Sequence, residues 1–525
     1  MKSFKLAPIA GMLLASSSSF AYTVPATDIT IYAAGASAQL GSISGILTSL
    51  CVPNATTGTI TPGVNQIQFF QGYGDNTATN GASTSTNTNL RAFRCTLKTN
   101  AAAPSLSGKT VLFHYSAIDG SGSGVKPVAS AVSLTGLPVV IGRKFIDITN
   151  ACPNTPIAQT VATTVTPAGS AQYNCNIGTT TETRTPTAGS SDVEPALFSG
   201  VNAIAAFGDV SQSDLDALEV KPGRAVIFGV HGNKALWLEL QKRQGIVPTS
   251  ATAPIMPFIT TVNATTNALT NSANPAFTSE AMRPSITKAE YRSIVQGNAV
   301  DLKTINGTLT PVAGTANPVP FALARRTNGS GTQAMSNVYF LNNGCGVLGG
   351  AALTPAAAYF EPTDPFGYQV QEGSATSDVV FQFQSKSFPA IGVVSLETPS
   401  RGDYTLNAVG GNTDVTPKNA FAPLKIDGVS PVRANVINGS YEFFAEETIQ
   451  WNKNVITGGS LADTFMNQFV NAAAAITTLS TLASQTQLGS AALSSYNGLP
   501  STNTTWIMNS SRGGNNCAPA TKIIE

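Results

Sequence analysis

Short apolar runs rich in β-branched and aromatic residues recur along the chain and predict buried β-strands. The runs are ITIYAAG (29–35), TVLFHYSAI (110–118), PVVIG (138–142), AIAAFGDV (203–210) and AIGVVSLE (390–397). Several of them end at or near glycine or serine, residues that favour turns. These segments therefore predict strands that end at tight loops.

Segments with helical periodicity follow several of these runs. They are SDLDALE (213–219), ALWLELQKRQG (235–245), ITKAEYRSIVQG (286–297) and SLADTFMNQFVNAAAAITTLSTLA (460–483). Thr287 is predicted as an N-cap, and Glu290 three residues later completes a capping box. Alternation of strand and helix indicates an α/β fold with parallel strands, in which ligands bind at the carboxyl ends of the strands. We interpret the polar segments 53–90, 153–192 and 261–275 as long solvated loops.

Length and charge narrow the class of protein. A chain of 525 residues is too long for one simple core, so two lobes are expected. Lys and Arg number 29 against 28 Asp and Glu, which gives no basic surface for nucleic acid.

The N-terminus predicts export. Residues 1–21 combine lysines, a short apolar run and Ser19-Phe20-Ala21, which is typical of a cleavable signal peptide. No cysteine follows Ala21, so a lipid anchor is not expected. No later run reaches about 18 apolar residues, so the mature chain is expected to be soluble, in the periplasm or secreted.

An even number of cysteines after an export signal predicts disulfides. The six are Cys51, Cys95, Cys152, Cys175, Cys345 and Cys517. Sequential pairing is our interpretation, although six cysteines allow 15 connectivities. Pairing of Cys152 with Cys175 would join the two ends of a Thr-rich segment. The absence of CxxC spacing argues against a zinc site.

Four short segments share one physical theme: small residues placed where a strand ends. They are GASAQL (35–40), DGSGSGVK (119–126), GDVSQSDL (208–215) and ARRTNGSGTQAMS (324–336). Helix N-termini there would offer N–H groups and hydroxyls, and an arginine would add a charged pair. Such a set suits a small dehydrated tetrahedral oxyanion, whereas a nucleotide usually calls for GxxxxGK[ST], which is absent.

In this order, the four segments resemble those of periplasmic phosphate-binding proteins, the substrate-capturing components of phosphate ABC importers. AAGASAQ resembles the family's Gly-Ala-Gly-Ala-Ser/Thr-Phe turn, and YSAIDGSGSGVK its Ser-Ser-Gly-Gly-Val-Lys segment. GDVSQSD is similar to Ser-Asp-Ala-Pro-Leu-Ser-Asp in keeping two aspartates. RTNGSGT resembles the most specific segment, Arg-x-Asp-Gly-Ser-Gly-Thr, and departs from it at Asn328. The resemblance covers about half of the mature chain.

The resemblance implies a two-lobed clamshell, each lobe a mixed sheet flanked by helices, with long polar insertions here. Lobe 1 would comprise residues 22–255 and 441–525 and lobe 2 residues 256–440, with chain crossings near 253–262 and 440–449. It also implies the phosphate ligands, by position: Ser37, Ala38, Ser121, Asp209, Arg326, Ser330, Gly331 and Thr332.

Among these implied ligands, Asp209 bears on which anion binds. A carboxylate beside an anion repels it unless the anion carries a proton to donate, as hydrogen phosphate does and sulfate at neutral pH does not. Asp209 would therefore favour phosphate over sulfate. Asn328 and Ala38 replace an acidic residue that holds the arginine and an aromatic residue in the family pattern.

The sequence thus predicts an exported, monomeric phosphate-binding protein without enzyme activity or cofactor, whose partner for uptake would be an ABC permease. A secreted surface or matrix protein that reuses the fold, with weak or lost anion binding, is the alternative. A secreted phosphatase would need a metal cluster or an activated nucleophile, and the sequence motifs indicate neither.

Overall fold

The computed structural model describes most of the chain in separate ranges. These are residues 22–53, 67–73, 89–131, 141–154, 157–158, 170–178, 180–252, 254–256, 259–262, 269–271, 280–298, 321–344, 352–358, 368–396, 421–475, 490–491 and 507–522. The predicted signal peptide, Cys345 and most of segment 261–275 lie outside the described residues.

The described strands run in chain order from β1 to β22. They are β1 Ile29–Gly35, β2 Gln68–Tyr73, β3 Leu90–Thr96, β4 Thr110–Ser116, β5 Arg143–Ile146, β6 Ile157–Ala158, β7 Ala171–Asn176, β8 Thr181–Arg184, β9 Ala188–Ser191, β10 Leu218–Asn233, β11 Ile259–Val262, β12 Leu269–Asn271, β13 Ser285–Ile286, β14 Phe321–Arg326, β15 Tyr368–Gly373, β16 Ala390–Ser395, β17 Phe421–Pro423, β18 Lys425–Ile426, β19 Phe444–Asn452, β20 Ser490–Ala491, β21 Ser510–Ser511 and β22 Thr521–Lys522.

The described α-helices lie between and after these strands. They are α1 Leu40–Leu50, α2 Lys126–Ala129, α3 Ile148–Ala151, α4 Gln212–Ala217, α5 Lys234–Arg243, α6 Lys288–Val295, α7 Gly331–Leu341, α8 Thr376–Ser385, α9 Arg433–Ile437 and α10 Leu461–Ala474. Short 3₁₀ turns include Ser37–Gln39 and Ser121–Gly124, each directly in front of a helix.

One large mixed sheet organises the described part of the chain, as the strand and helix alternation predicts. Its strand order is β15-β14-β16-β10-β19-β9-β1-β4-β3-β2-β7-β6. Strand β2 pairs parallel with β7, and two groups of three strands within the sheet are parallel, β9-β1-β4 and β15-β14-β16. The long strand β10 joins them, because it pairs antiparallel with both β16 and β19. The prediction of an α/β fold with a mixed sheet and flanking helices is confirmed.

Several predicted elements match the structure closely. Strand β1 spans the whole run ITIYAAG, and the runs at 110 and 390 form β4 and β16. The predicted capping box of Thr287 and Glu290 is confirmed, since each side chain bonds the backbone N–H of the other. These elements were predictable because their signals are local.

Several predictions about elements are wrong. The segment 53–90, interpreted as a solvated loop, contains strand β2 of the large sheet, with Phe69 and Phe70 buried. The described residues of segment 261–275 belong to the paired strands β11 and β12.

Residues 203–207 form turns rather than a strand. The segment 153–192 was interpreted as a solvated loop, yet it contains β7, β8 and β9, and β9 is fully buried. The residues of β9, AGSS, are small or polar, and they lack the β-branched and aromatic residues that predict a strand. It is a strand because β1 and β19 flank it on both sides.

The largest buried clusters lie on different parts of the sheet. One surrounds β10, β14 and β16 and includes Trp237 of α5 and Phe340 of α7. Another lies under β1 and β4, where Phe113 stacks on Phe469 of α10 with ring centroids 5.4 Å apart. Burial of apolar surface is the dominant favourable contribution to folding, and the aromatic side chains add to it here.

Two of the three sequentially predicted disulfides lie within the described residues. Cys51–Cys95 joins the end of α1 to β3, and Cys152–Cys175 joins the end of α3 to β7. The third predicted pair involves Cys345, outside the described part. Among the helices that the structure describes, none has the length and apolar character needed to span a membrane.

Candidate anion-binding site

Carboxyl ends of strands from both parallel groups meet at one place. The turn after β1 begins with Ser37, the turn after β4 contains Ser121, and Asp192 directly follows β9. From the other group, β14 ends at Arg326 and β15 ends at Gly373. The backbone N–H of Gly122 donates to the carbonyl of Gly329 at 2.7 Å, which joins the loops of the two groups directly.

Arg326 is the central charged group of this site and is only 2% exposed. Its Nη1 donates to Ser37 Oγ at 3.1 Å and to Thr376 Oγ1 at 3.0 Å. Its Nη2 donates to the carbonyl of Ser374 at 2.7 Å, and its Nε to that of Gly373 at 3.3 Å. All four acceptors are neutral oxygens, two hydroxyls and two backbone carbonyls.

Arg325 differs from Arg326 because successive residues of a strand point to opposite faces. It pairs with Glu372 on β15, its register partner, with Nη2 at 2.6 Å from Oε1. The only Arg-Arg pair of the sequence therefore contains one neutralised cation and one cation surrounded by hydroxyls and carbonyls.

Burial is the main influence on the pKa of Arg326 and lowers it to about 10. The carboxylates of Asp192, Asp378 and Asp119 act in the opposite direction. Arg326 is therefore charged at neutral pH, and the site carries a buried positive charge.

Ser121 and Asp192 form the second half of the site. Ser121 Oγ accepts from the Asp192 backbone N–H at 3.2 Å and donates to Asp192 Oδ2 at 3.3 Å. Both residues are buried against Gly331, the first residue of α7. A Cβ added to Gly331 would lie 2.4 Å from Ser121 Oγ and 2.9 Å from Asp192 Oδ2. Glycine is required there by space, because three chain segments converge on it.

The remaining predicted ligands lie around the same helix starts. Ser330 is the N-cap of α7, with its Oγ accepting from the N–H of Gln333 at 3.4 Å. Thr332 is buried in the first turn of α7, and Ala38 is half-buried in the 3₁₀ turn after β1. The structure therefore groups Ser37, Ala38, Ser121, Arg326, Ser330, Gly331 and Thr332 around the strand ends that meet here.

Asp209, the remaining predicted ligand, is not among them. It is exposed, and its Oδ1 accepts the backbone N–H of Gly200 at 3.0 Å. The buried carboxylate of this region belongs to Asp192 instead. Ser191-Asp192 carries the Ser-Asp pair of the family segment, but Pro195 and Leu197 follow it at a wider spacing than in Ser-Asp-Ala-Pro-Leu, so the signal in the sequence was weak.

Thr376 is a second residue that sequence reasoning missed. It is the first residue of α8, and its Oγ1 lies 3.3 Å from Ser37 Oγ. Nothing in its local sequence distinguishes it from other threonines. It reaches the site only because β15 lies beside β14 in the sheet.

Comparison with known proteins gives a fold likeness alone. No protein-family model and no curated protein matches the sequence. A putative phosphate ABC transporter substrate-binding protein with bound phosphate from Clostridium perfringens is similar in structure at 12% identity and a TM-score of 0.30, over 58% of this chain and 79% of that one.

Two further solved structures are similar to the same degree. An ABC-type phosphate transport receptor from Vibrio cholerae shares 11% identity at a TM-score of 0.28, over 58% of this chain and 80% of that one. PstS from Borrelia burgdorferi shares 11% identity at a TM-score of 0.26, over 58% and 79%. Because this structural similarity is low, the function has to be argued from the side chains of the site.

Proposed function

We propose that this chain is an exported solute-binding protein that binds inorganic phosphate at the cluster of Arg326, Ser37 and the start of α7. Its carboxylate partner in the site is Asp192 in place of Asp209. The proposed role involves no making or breaking of covalent bonds, so the chain acts as a binding protein and not as an enzyme.

The observation that carries the proposal is the buried guanidinium of Arg326, whose hydrogen bonds go to neutral oxygens only. A buried ion without an opposite charge in contact costs several kcal/mol. A bound oxyanion offsets this cost and accepts charge-assisted hydrogen bonds from the same guanidinium. The N-terminus of α7 adds N–H donors and positive potential from the helix dipole.

Asp192 gives the site a preference among anions. Its carboxylate lies beside Ser121 Oγ and the start of α7. A protonated oxygen of phosphate can donate to a carboxylate, whereas sulfate at neutral pH has no proton and meets repulsion instead. We therefore expect phosphate and arsenate to bind and sulfate to be rejected.

Isothermal titration calorimetry tests the proposal, with protein freed of anion by unfolding and refolding. The wild-type chain is expected to bind phosphate with micromolar or tighter affinity and to give no heat with sulfate. Arg326→Ala is expected to abolish phosphate binding, because the central cation is lost. Arg325→Ala is the matched control, since Arg325 is the adjacent arginine and pairs with Glu372.

Asp192→Asn adds a specificity arm to the same experiment. The amide removes the repulsive charge and can donate to an anion oxygen, so the preference for phosphate over sulfate should shrink at least tenfold. Absence of phosphate binding by folded wild-type protein would contradict the proposal and favour a surface or matrix protein that reuses this fold.

The proposal includes export of the chain, closure of two lobes on the anion and a membrane partner. Residues 1–21 would direct export, the two parallel strand groups would belong to two lobes that close on the anion, and an ABC permease would receive it. The Ser37–Arg326 and Gly122–Gly329 hydrogen bonds, which join the two groups, support closure around this point. The mature chain would act as a monomer in the periplasm or outside the cell.

A further inference from the structure

We infer that Thr376, at the start of α8, is an additional ligand of the bound anion. The inference rests on the proposed function and extends the site to a chain segment that the sequence did not indicate. The anion would then receive hydroxyl donors from segments following three different strands, β1, β4 and β15.

The position of the Thr376 hydroxyl is the first argument. Thr376 Oγ1 and Ser37 Oγ accept from the same nitrogen, Nη1 of Arg326, at 3.0 and 3.1 Å. The two hydroxyl oxygens lie 3.3 Å apart. One anion oxygen can therefore lie within hydrogen-bond distance of both hydroxyls, next to the guanidinium.

The local structure of α8 gives the second argument, because the helix does not need this hydroxyl. Its N-cap is Ala375, which has no side-chain acceptor. The carboxylate of Asp378 satisfies this helix start, accepting from the N–H of Ala375 at 2.9 Å and from Ser374 Oγ at 3.0 Å. Thr376 Oγ1 is thus directed to Arg326 and Ser37 rather than to its own backbone.

The loop before α8 also fixes the orientation of Arg326. The carbonyls of Gly373 and Ser374 accept from its Nε and Nη2. Together with Thr376 they accept from all three nitrogens of the guanidinium and hold it in one orientation. Because these acceptors are neutral, the positive charge of Arg326 stays available to an anion.

The test is phosphate titration of the full chain carrying Thr376→Val, which keeps the shape of the side chain and removes the hydroxyl. We expect phosphate affinity to fall about tenfold or more, since hydrogen bonds to charged groups are among the strong ones. Thr376→Ser should restore it, because serine keeps the hydroxyl. Ser377→Ala is the matched control, being the next residue of α8 and exposed.

Thermal unfolding of each variant without added anion separates binding from stability. Unchanged unfolding temperature with weakened binding, restored by serine, supports the inference. Wild-type affinity in Thr376→Val, or no restoration by Thr376→Ser, overturns it and leaves the proposed function in place. Failure of the wild-type chain to bind phosphate overturns both.

Discussion

At the scale of single residues, the two histidines show how burial sets a charge state. His114 is stacked on Tyr32 with ring centroids 4.5 Å apart, and His231 is buried between Gly229 and two phenylalanines. Burial lowers the pKa of each histidine to about 3. Both are therefore neutral in the folded protein at pH values where an unfolded histidine is protonated.

This difference predicts a loss of stability in mild acid. A histidine with a depressed folded pKa contributes stability that is present above about pH 6.5 and is lost as the pH falls toward 3. Below pH 6, two such groups give a slope approaching about 2.7 kcal/mol per pH unit. Urea unfolding between pH 7.5 and 5 measures it. His114→Phe, which preserves the aromatic packing, should reduce the slope by about half; a flat wild-type profile would contradict the assignment.

At the scale of elements, the site depends on how closely α7 approaches the turn after β4. Gly331 begins α7 directly against Ser121 and Asp192. Gly329, in the same loop, has a φ of +88°, and a Cβ there would meet Ile204 at 2.0 Å. The loop between β14 and α7 therefore tolerates no side chain at either glycine without moving the elements apart.

Gly331→Ala is expected to destabilise the fold by about 1–3 kcal/mol through overpacking. It should also weaken phosphate binding, because Ser121 and Asp192 are displaced from α7. Differential scanning calorimetry and phosphate titration measure the two effects. Gly458→Ala is the control, since a Cβ at Gly458 meets no atom within 4 Å. Equal behaviour of the two variants would show that the close approach is not needed.

At the scale of the whole molecule, the segment 507–522 is held against strand β19. The N–H of Glu446 donates to Asn516 Oδ1 at 2.8 Å, and the Asn516 N–H donates to Glu194 Oε1 at 2.9 Å. Glu446 Oε1 accepts from Ser511 Oγ and the N–H of Arg512. Burial raises the pKa of Glu194, with the nearby charge of Glu446 acting in the same direction.

Asn516→Ala should detach this segment, because it removes the Oδ1 acceptor of the buried Glu446 N–H and the Nδ2 donor to Glu194 Oε2, leaving only the backbone N–H bond to Glu194. We expect a loss of about 3 kcal/mol. Hydrogen exchange should rise in peptides covering 507–522 and β19 while the peptides of β1 and β4 stay protected. Asn515→Ala is the control, because Asn515 Oδ1 only accepts the nearby N–H of Cys517. Uniform exchange across the chain would contradict this local docking.

The sequence by itself determined the elements with strong local signals and the charged centre of the site. Strands β1, β4 and β16 were predictable from their apolar runs, and the capping box of Thr287 from its spacing, because these features depend on neighbours in the chain. The segment RTNGSGT was recognisable for the same reason. Tertiary structure alone decided which strands lie side by side.

That arrangement made the polar segment AGSS a buried strand, placed Asp192 beside Ser121, and left Asp209 exposed. It also brought Thr376 to Arg326 across a gap of 50 residues. Such contacts depend on strand order in the sheet, and no local pattern encodes strand order.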